Sequence, residues 1–178
     1  SFESAEEQAA FDVYDANNIN PLYGFFVARA GLGASESMRS KLAEYNDPRL
    51  SRAFITKQGA SGKEQAPGTA DNAVYAPNGS PEQGTSKYGT SLFMYSISAP
   101  TLLLSYHELK FLEAEALCRL GRDAKSALKD AVVAGLLNAE SSFSVSRKEL
   151  GKTLINPASS ITDTEAESYF DNTIEAKY

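Results

Sequence analysis

Leu102-Leu103-Leu104-Ser105-Tyr106-His107-Glu108-Leu109-Lys110-Phe111-Leu112-Glu113-Ala114-Glu115-Ala116-Leu117-Cys118-Arg119-Leu120-Gly121 is the stretch whose reading decides the fold. On a helical wheel of about 100° per residue, Leu103, Phe111, Ala114, Leu117 and Cys118 share one face. Leu102, Leu109, Leu112, Ala116 and Leu120 share the opposite face, and Glu108, Glu115 and Arg119 form the polar stripe. A helix apolar on two sides is packed on two sides, so the pattern predicts a central helix over 102–120. Gly121 stands where a left-handed residue closes a helix. From Arg122 a second helix begins, with a small-residue stripe of Ala124, Ala127, Ala131, Ala134 and Gly135. Such a stripe lets two helix backbones approach closely, while Leu128, Val132 and Leu136 add apolar bulk. The expectation is a helical hairpin over 102–138 of the kind that builds layered helical repeats. One such hairpin is legible in the chain.

Working outward, Ser4-Ala5-Glu6-Glu7 has the spelling of a capping box and predicts a helix to Ala16, with Ala9 and Val13 on one face. Asn17-Asn18-Ile19-Asn20-Pro21 would end it, and residues 21–34 show no clear period. A helix is expected from Ser35 to Tyr45 with Met38 and Leu42 inward. Asn46-Asp47-Pro48-Arg49-Leu50 then turns the chain, because Pro48 keeps Asp47 out of the helical region. Asp47 and Arg49 are placed to brace that turn through hydrogen bonds or an ion pair. Arg52-Ala53-Phe54-Ile55-Thr56 reads as a short strand. Residues 57–91 are rich in Gly, Ser, Asn, Pro and Thr, with no surviving period. We read them as a long ordered surface loop pinned by Tyr75 and Tyr88. Leu92 to Ile97 reads as a short extended segment, so the loop-rich insertion spans 57–97. Beyond the hairpin, Ser144 to Pro157 reads as a helical turn and a connector. Thr162-Asp163-Thr164-Glu165 is a second capping box, with Ile161 stapled onto Ala166. Ala166, Tyr169, Phe170, Ile174 and Tyr178 form one face still in phase at the last residue. We read that pattern as a chain cut within a larger structure.

The 178 residues, 42% of them apolar, suffice for a core. The net charge is −6 and the basic residues form no long run, which makes nucleic acid and anionic membrane surfaces poor partners. A sugar, a peptide or another protein fits better. The apolar clusters are too short to span a bilayer. A lone cysteine, Cys118, excludes an internal disulfide and a multi-thiolate metal site, and a lone histidine, His107, excludes the two-histidine motifs. No metal or cofactor is expected. GxSxG, P-loop, GxGxxG and HExxH patterns are absent. Ser105 and His107, two apart on a helix, would point in different directions. Glu113 and Glu115 would lie on different sides of it, whereas a retaining glycosidase needs facing carboxylates about 5 Å apart. Cys118 sits on an apolar face without a basic cluster and reads as inert. No catalytic residue is assigned and the chain reads as a non-enzyme.

Aromatics remain. Nine Tyr and nine Phe stand beside no Trp. Tyr75, Asn78, Gln83, Tyr88 and Tyr95 lie in or next to the polar insertion. Rings that stack on a sugar face, with amides bonding its hydroxyls, need that mixture. The alternative is that the tyrosines anchor the loop.

Asn46-Asp47-Pro48-Arg49-Leu50, then a Gly-rich variable loop, then Pro100 with Leu103-Leu104-Ser105-Tyr106-His107-Glu108 and Phe111-Leu112-Glu113-Ala114-Glu115-Ala116, resemble the SusD/RagB family of outer-membrane lipoproteins in order and spacing. The similarity covers roughly residues 46–137, and Tyr169-Phe170 in a late helix is also family-like. The resemblance implies a mainly α, SusD-like fold with a tetratricopeptide-like hairpin and long irregular loops. It implies capture of a glycan at the cell surface, without catalysis, for nutrient uptake. It also implies a partner, a SusC-like TonB-dependent outer-membrane transporter over which the lipoprotein sits as a lid. Membrane attachment would be through an N-terminal lipid anchor absent from this chain. Family members run to several hundred residues, so 1–178 would be a single domain or the C-terminal part of a larger protein. A second reading of the two-faced hairpin is a helical-repeat module that binds protein and no sugar.

Overall fold

Tyr106, with Ser105 as its cap, and not Leu102, is where the helix of the hairpin begins. The structure is a computed structural model that describes residues 3–29, 33–58, 64–67, 75–79, 88–94, 96–151, 154 and 157–177. After a 3-10 turn at Ala5–Glu7 come strand β1 (Ala9–Phe11), helices α1 (Pro21–Arg29) and α2 (Glu36–Glu44), and strands β2 (Phe54–Gln58), β3 (Glu64–Pro67) and β4 (Thr90–Ser91). A 3-10 turn at Leu92–Met94 leads to β5 (Thr101–Leu104), α3 (Tyr106–Arg119), α4 (Lys125–Leu150) and α5 (Asp163–Tyr169). The last helix continues through a π turn, Phe170–Ile174, and a 3-10 turn, Glu175–Lys177. The fold is mainly α, as the hairpin predicts. Its contacts divide it into two units, one of Ser1–Val13, Pro100–Ser141 and Ile161–Tyr178, the other of Tyr14–Ala99 and Ser142–Ser160.

In the first unit β1 and β5 pair antiparallel, Ala10 opposite Leu102 and Phe11 opposite Thr101. The expected helix over 102–120 therefore loses its first turn to a strand. The cause is Ser105, whose Oγ accepts from the Glu108 N–H at 3.2 Å while the Glu108 carboxylate accepts from the Ser105 N–H at 3.2 Å. That reciprocal box forms only with Ser105 extended, at φ −90° and ψ 157°, outside the helix. The expected helix from Ser4 to Ala16 is also absent. Ser4 makes no side-chain cap, Glu7 instead accepts from the Glu3 N–H at 2.9 Å, and a single turn gives way to β1.

The hairpin itself stands. Gly121 takes φ +66°, Gly121 N–H bonds to Cys118 O and Arg122 N–H to Leu117 O, the paired bonds of a Schellman closure. Ala124, Ala127 and Ala131 of the stripe are buried. A Cβ built on Gly135 would meet the His107 and Phe111 side chains at 3.9 Å, so side chains of α3 pack on the small-residue stripe of α4 instead of the two backbones closing together. Burial of both faces of α3 is not met. Ala114 is its buried residue, while Phe111 is 43%, Leu112 55% and Leu120 71% exposed. A helix that packs on one neighbour buries one face, and α4 is the helix that this face meets. Cys118, read as lying on an apolar face, is exposed on it. Farther on, Lys129 bonds to Asp171 at 2.8 Å and Lys125 pairs with Glu175, tying α4 to the C-terminal turns. The second capping box holds in its first half, Thr162 Oγ1 accepting from the Glu165 N–H at 3.2 Å. Ile161 and Ala166 are both buried, as a staple requires, and so is Phe170. Tyr178 lies outside the described residues.

In the second unit, α1 occupies part of the stretch that shows no period. Asn20 explains it: its Oδ1 accepts from the Leu22 N–H at 2.7 Å and its Nδ2 donates to Ala99 O at 2.8 Å. Pro21 then stands at the first helical position, where a missing N–H costs nothing. α2 forms as expected behind Ser35, with Leu42 buried but Met38 exposed. The Asp47 brace also forms, Oδ1 accepting from Arg49 N and Nε at 2.9 Å each and Oδ2 from Nη2 at 2.6 Å. The strand expected at 52–56 is β2, shifted to start at Phe54. It is the centre of a three-stranded sheet, with β3 on one side and β4 on the other. Residues 57–91 are thus not loop throughout. Leu92 to Met94 is a 3-10 turn where an extended segment is expected. The short helical turn expected from Ser144 is the last part of a much longer α4, which runs to Leu150 and ends at Gly151, φ +52°. Its serines mask an inward face: Ser146 donates to Leu92 O, and the fully buried Phe143 packs its ring 4.6 Å from Phe93.

Candidate functional site

Three of the five candidate ligand residues, Tyr75, Asn78 and Tyr88, fall among the described residues; Gln83 and Tyr95 lie outside them. All three belong to the second unit and gather near the N-terminus of α2. The segment 75–79 is docked there by backbone: Glu36 N–H bonds to Ala76 O at 3.0 Å and Ala76 N–H to Ala34 O at 2.8 Å. Ala34 N–H in turn bonds to Gly89 O at 2.8 Å, so the chain beside Tyr88 joins the same frame. Asn78 is exposed, and its amide is held at both ends. Nδ2 donates to Ser37 Oγ at 2.7 Å and Oδ1 accepts from Ser35 Oγ at 3.2 Å.

The two tyrosines take different positions. Tyr88 is 5% exposed, and a Cβ built on Gly33 would stand 2.9 Å from its Cβ, so only glycine fits opposite it. That ring anchors the frame. Tyr75 is half-buried, its ring edge-on to Phe54 with centroids 5.2 Å apart at 87°. Burial raises its phenol above the ordinary value, and the positive charge of Arg39 works against that shift. The result is a polar corner of hydroxyls and one oriented amide beside a part-exposed phenol, with the Arg39 charge near it. It can bond and stack. Ser35 and Ser37 were not among the sequence candidates. Their partner Asn78 is 43 and 41 residues away, respectively, beyond any local pattern.

The first unit corrects one chemical inference. Because Ser105 is a cap and not a helical residue, its Oγ lies 3.4 Å from His107 Nε2, although the two are adjacent on no helix face. This is still not a nucleophile. Ser105 is buried, and its hydroxyl lies 3.1 Å from the Glu108 carboxylate. A triad needs that carboxylate on the far nitrogen of the imidazole, not on the serine. Glu113 pairs with Lys110 at 3.0 Å and Glu115 with Arg119 at 2.6 Å, each along α3. Among the described residues no group of His, Cys, Asp and Glu is arranged to hold a metal ion, and no helix is long and apolar enough to cross a membrane.

A profile of the SusD-like family, described as starch-binding and associating with the outer membrane, matches residues 1–146. No curated protein matches the chain. Among solved structures, a SusD/RagB family protein from Bacteroides thetaiotaomicron is 60% identical and superposes with a TM-score of 0.93, over 100% of this chain and 38% of its own. A chitin-binding protein is 20% identical, with a TM-score of 0.64 over 97% of this chain and 36% of its own. A SusD homologue from Bacteroides fragilis is 22% identical, with a TM-score of 0.61 over 79% of this chain and 32% of its own. At those two identities the similarity speaks to fold alone. The chain spans less than two fifths of the length of each of these proteins. Matched by the profile over most of its residues and by a 60% identical structure over all of them, this chain belongs to the SusD-like family.

Proposed function

We propose that these residues are part of a cell-surface lipoprotein that binds a glycan and works with a SusC-like TonB-dependent transporter in nutrient uptake at the outer membrane. The observation that carries the reading is the match of residues 1–146 to a family described as starch-binding and associating with the outer membrane. The polar corner at α2 supports it. Tyr75 offers a part-exposed ring, and Asn78, Ser35 and Ser37 offer fixed hydroxyl and amide groups, the pairing that an oligosaccharide's apolar face and hydroxyls require. In this reading Tyr88 is a support, and Gln83 and Tyr95 stay in the ligand set from the sequence alone. No step of bond cleavage is assigned to the protein.

The test is a glycan array followed by calorimetry on the intact protein, with starch and chitin oligosaccharides included because relatives carry those two descriptions. Binding that weakens at least about tenfold in Tyr75→Ala supports the site, since stacking and edge contacts of one aromatic ring contribute about 1.5 kcal/mol. Silence across plant, microbial and host polysaccharides refutes the function. Co-purification with an outer-membrane barrel from the native host tests the transporter partnership separately.

A further inference from the structure

We infer that Arg39 makes the corner at α2 selective for an acidic glycan, its guanidinium pairing with a uronate carboxylate or a sulfate ester of the bound oligosaccharide. The inference deepens the proposed function and rests on it. Ser35, which caps α2 and whose Oγ meets the Asn78 amide at 3.2 Å, lies one helical turn before Arg39. The Arg39 N–H bonds to Ser35 O at 3.1 Å, which fixes that turn. A long side chain on a helix leans back over the turn N-terminal to its own Cα. Arg39 therefore extends along α2 toward Ser35 and the segment docked there, which carries Tyr75 and Asn78. Its positive charge is felt at the Tyr75 phenol, where it opposes the effect of burial, so guanidinium and ring share one corner.

Among the described residues that charge is unused. Four of the described arginines are part-buried, Arg39, Arg49, Arg52 and Arg147. Arg49 grips Asp47, Arg52 donates to Ser159 O and Pro48 O, and Arg147 donates to Ser144 and Ser160. The Arg39 guanidinium makes no hydrogen bond and no ion pair among the described residues. Glu36, three residues before it on α2, is exposed and does not pair with it, and the nearby Lys41 is matched by Glu44 at 2.8 Å. A guanidinium is a rigid fork that takes a carboxylate or a sulfate by two parallel bonds. A sugar hydroxyl offers it one weaker acceptor. The hydroxyls, the amide and the ring then hold the sugar, and Arg39 reads its acid. The net charge of −6 opposes an acidic ligand at a distance, but salt screens that field beyond about 8 Å and leaves a direct pair largely intact.

The test is calorimetry on the intact protein with matched oligosaccharides. Oligogalacturonate is set against its carboxyl-reduced form, and a sulfated galactan oligosaccharide against its desulfated form. Malto- and chito-oligosaccharides are the further neutral ligands. One acidic member should bind at least about tenfold more tightly than its neutral form, the worth of one charge-assisted pair. Which pair shows the preference separates carboxylate from sulfate. In Arg39→Gln the preference should fall to within about twofold. Arg39→Lys keeps the charge without the fork and should retain only part of it. A glycan bound with no gain from an acidic group overturns the inference and leaves the proposed function standing. So does an acidic preference that survives in Arg39→Gln. Silence toward every glycan overturns both. The wild-type comparison alone can overturn the inference, and Arg39→Lys tests the fork even where Arg39→Gln does not fold.

Discussion

Asp47 is the residue on which the turn after α2 is predicted to depend. Its side chain is 5% exposed and accepts three bonds, one from the Arg49 backbone and two from the Arg49 guanidinium. Replacing it with alanine removes all three. Bonds to charged groups are worth about 1.5–3 kcal/mol, and the Arg49 side chain, 31% exposed, recovers part of its loss from water. Taking the low end for the two charged bonds and about 1 kcal/mol for the backbone bond, the net cost is about 3 kcal/mol. That is a factor of more than a hundred in the folding equilibrium. Asp47→Asn keeps an oxygen for the Arg49 N–H and should cost about half as much. Arg49→Ala should cost at least as much as Asp47→Ala, because it strands a buried carboxylate. Urea unfolding of the intact protein reads these as shifts in midpoint at constant m-value. Because the carboxylate is buried, raising the salt should leave the ranking unchanged. An Asp47→Ala variant within about 0.5 kcal/mol of wild type would refute the reasoning, since that is the range of a surface substitution.

Gly135→Ala should stabilise the protein by about 0.5–1 kcal/mol, because a helix-interior glycine is replaced and its new Cβ meets His107 and Phe111 at an ordinary 3.9 Å; thermal unfolding checks it. Gly33→Ala should do the opposite, by about 1–3 kcal/mol, since its Cβ would stand 2.9 Å from that of Tyr88. Phe143→Ala empties a fully buried site and breaks the ring pair with Phe93, for a loss of about 3–5 kcal/mol in denaturant unfolding. The Glu108 carboxylate is held below the usual value of 4.5 by hydrogen bonds from the Ser105 backbone and hydroxyl. A folded-state value below the unfolded one means a contribution present above pH 4.5 and lost as the pH falls through the lowered value. NMR titration should show that depression diminished in Ser105→Ala. Tyr75 should ionise above 10.0 by ultraviolet difference titration, its contribution to stability being full below that value and lost as the pH rises through the raised one.

The parts of the fold that were legible in sequence are those decided within one turn of chain. Ser35, Gly121 and the Ile161–Ala166 staple each act on neighbours three to five residues away, and each stands as read. Asp47 and Arg49 brace across a single proline. The misreadings share a different cause. Leu102-Leu103-Leu104 fits a helix or a strand equally well; the Ser105–Glu108 box stops the helix at its C-terminal side, and the strand partner that then takes it up is Ala9–Phe11, about ninety residues earlier in the chain. β3, Glu64-Gln65-Ala66-Pro67, carries no alternation at all and is a strand through its backbone bonds to β2. Ser144 onward reads as a short helical turn and a connector, not as the end of a long helix, because its serines interrupt the apolar pattern. Ser146 is buried because Leu92 O accepts its proton.

Tyr75 and Tyr88 are alike in sequence, each an isolated tyrosine in a polar stretch, and the choice between stacking on a ligand and anchoring the chain was open for both. Two contacts divide them. Gly33 admits the backbone of Tyr88 so closely that its ring is committed to the interior. Phe54 meets Tyr75 edge-on from one side, which fixes the ring without covering it. A fixed, part-exposed ring loses little freedom when it binds, which is the condition for a useful contact surface. The same is true of Asn78, whose amide is oriented by Ser35 and Ser37 before any ligand arrives. Binding by this corner therefore depends on residues that need not touch a ligand. Ser37→Ala, which frees one end of the Asn78 amide while leaving Tyr75 in place, should weaken glycan binding without altering the unfolding free energy by more than about 0.5 kcal/mol. Unchanged affinity in Ser37→Ala, alongside a loss in Tyr75→Ala, would show that the ring acts without the amide.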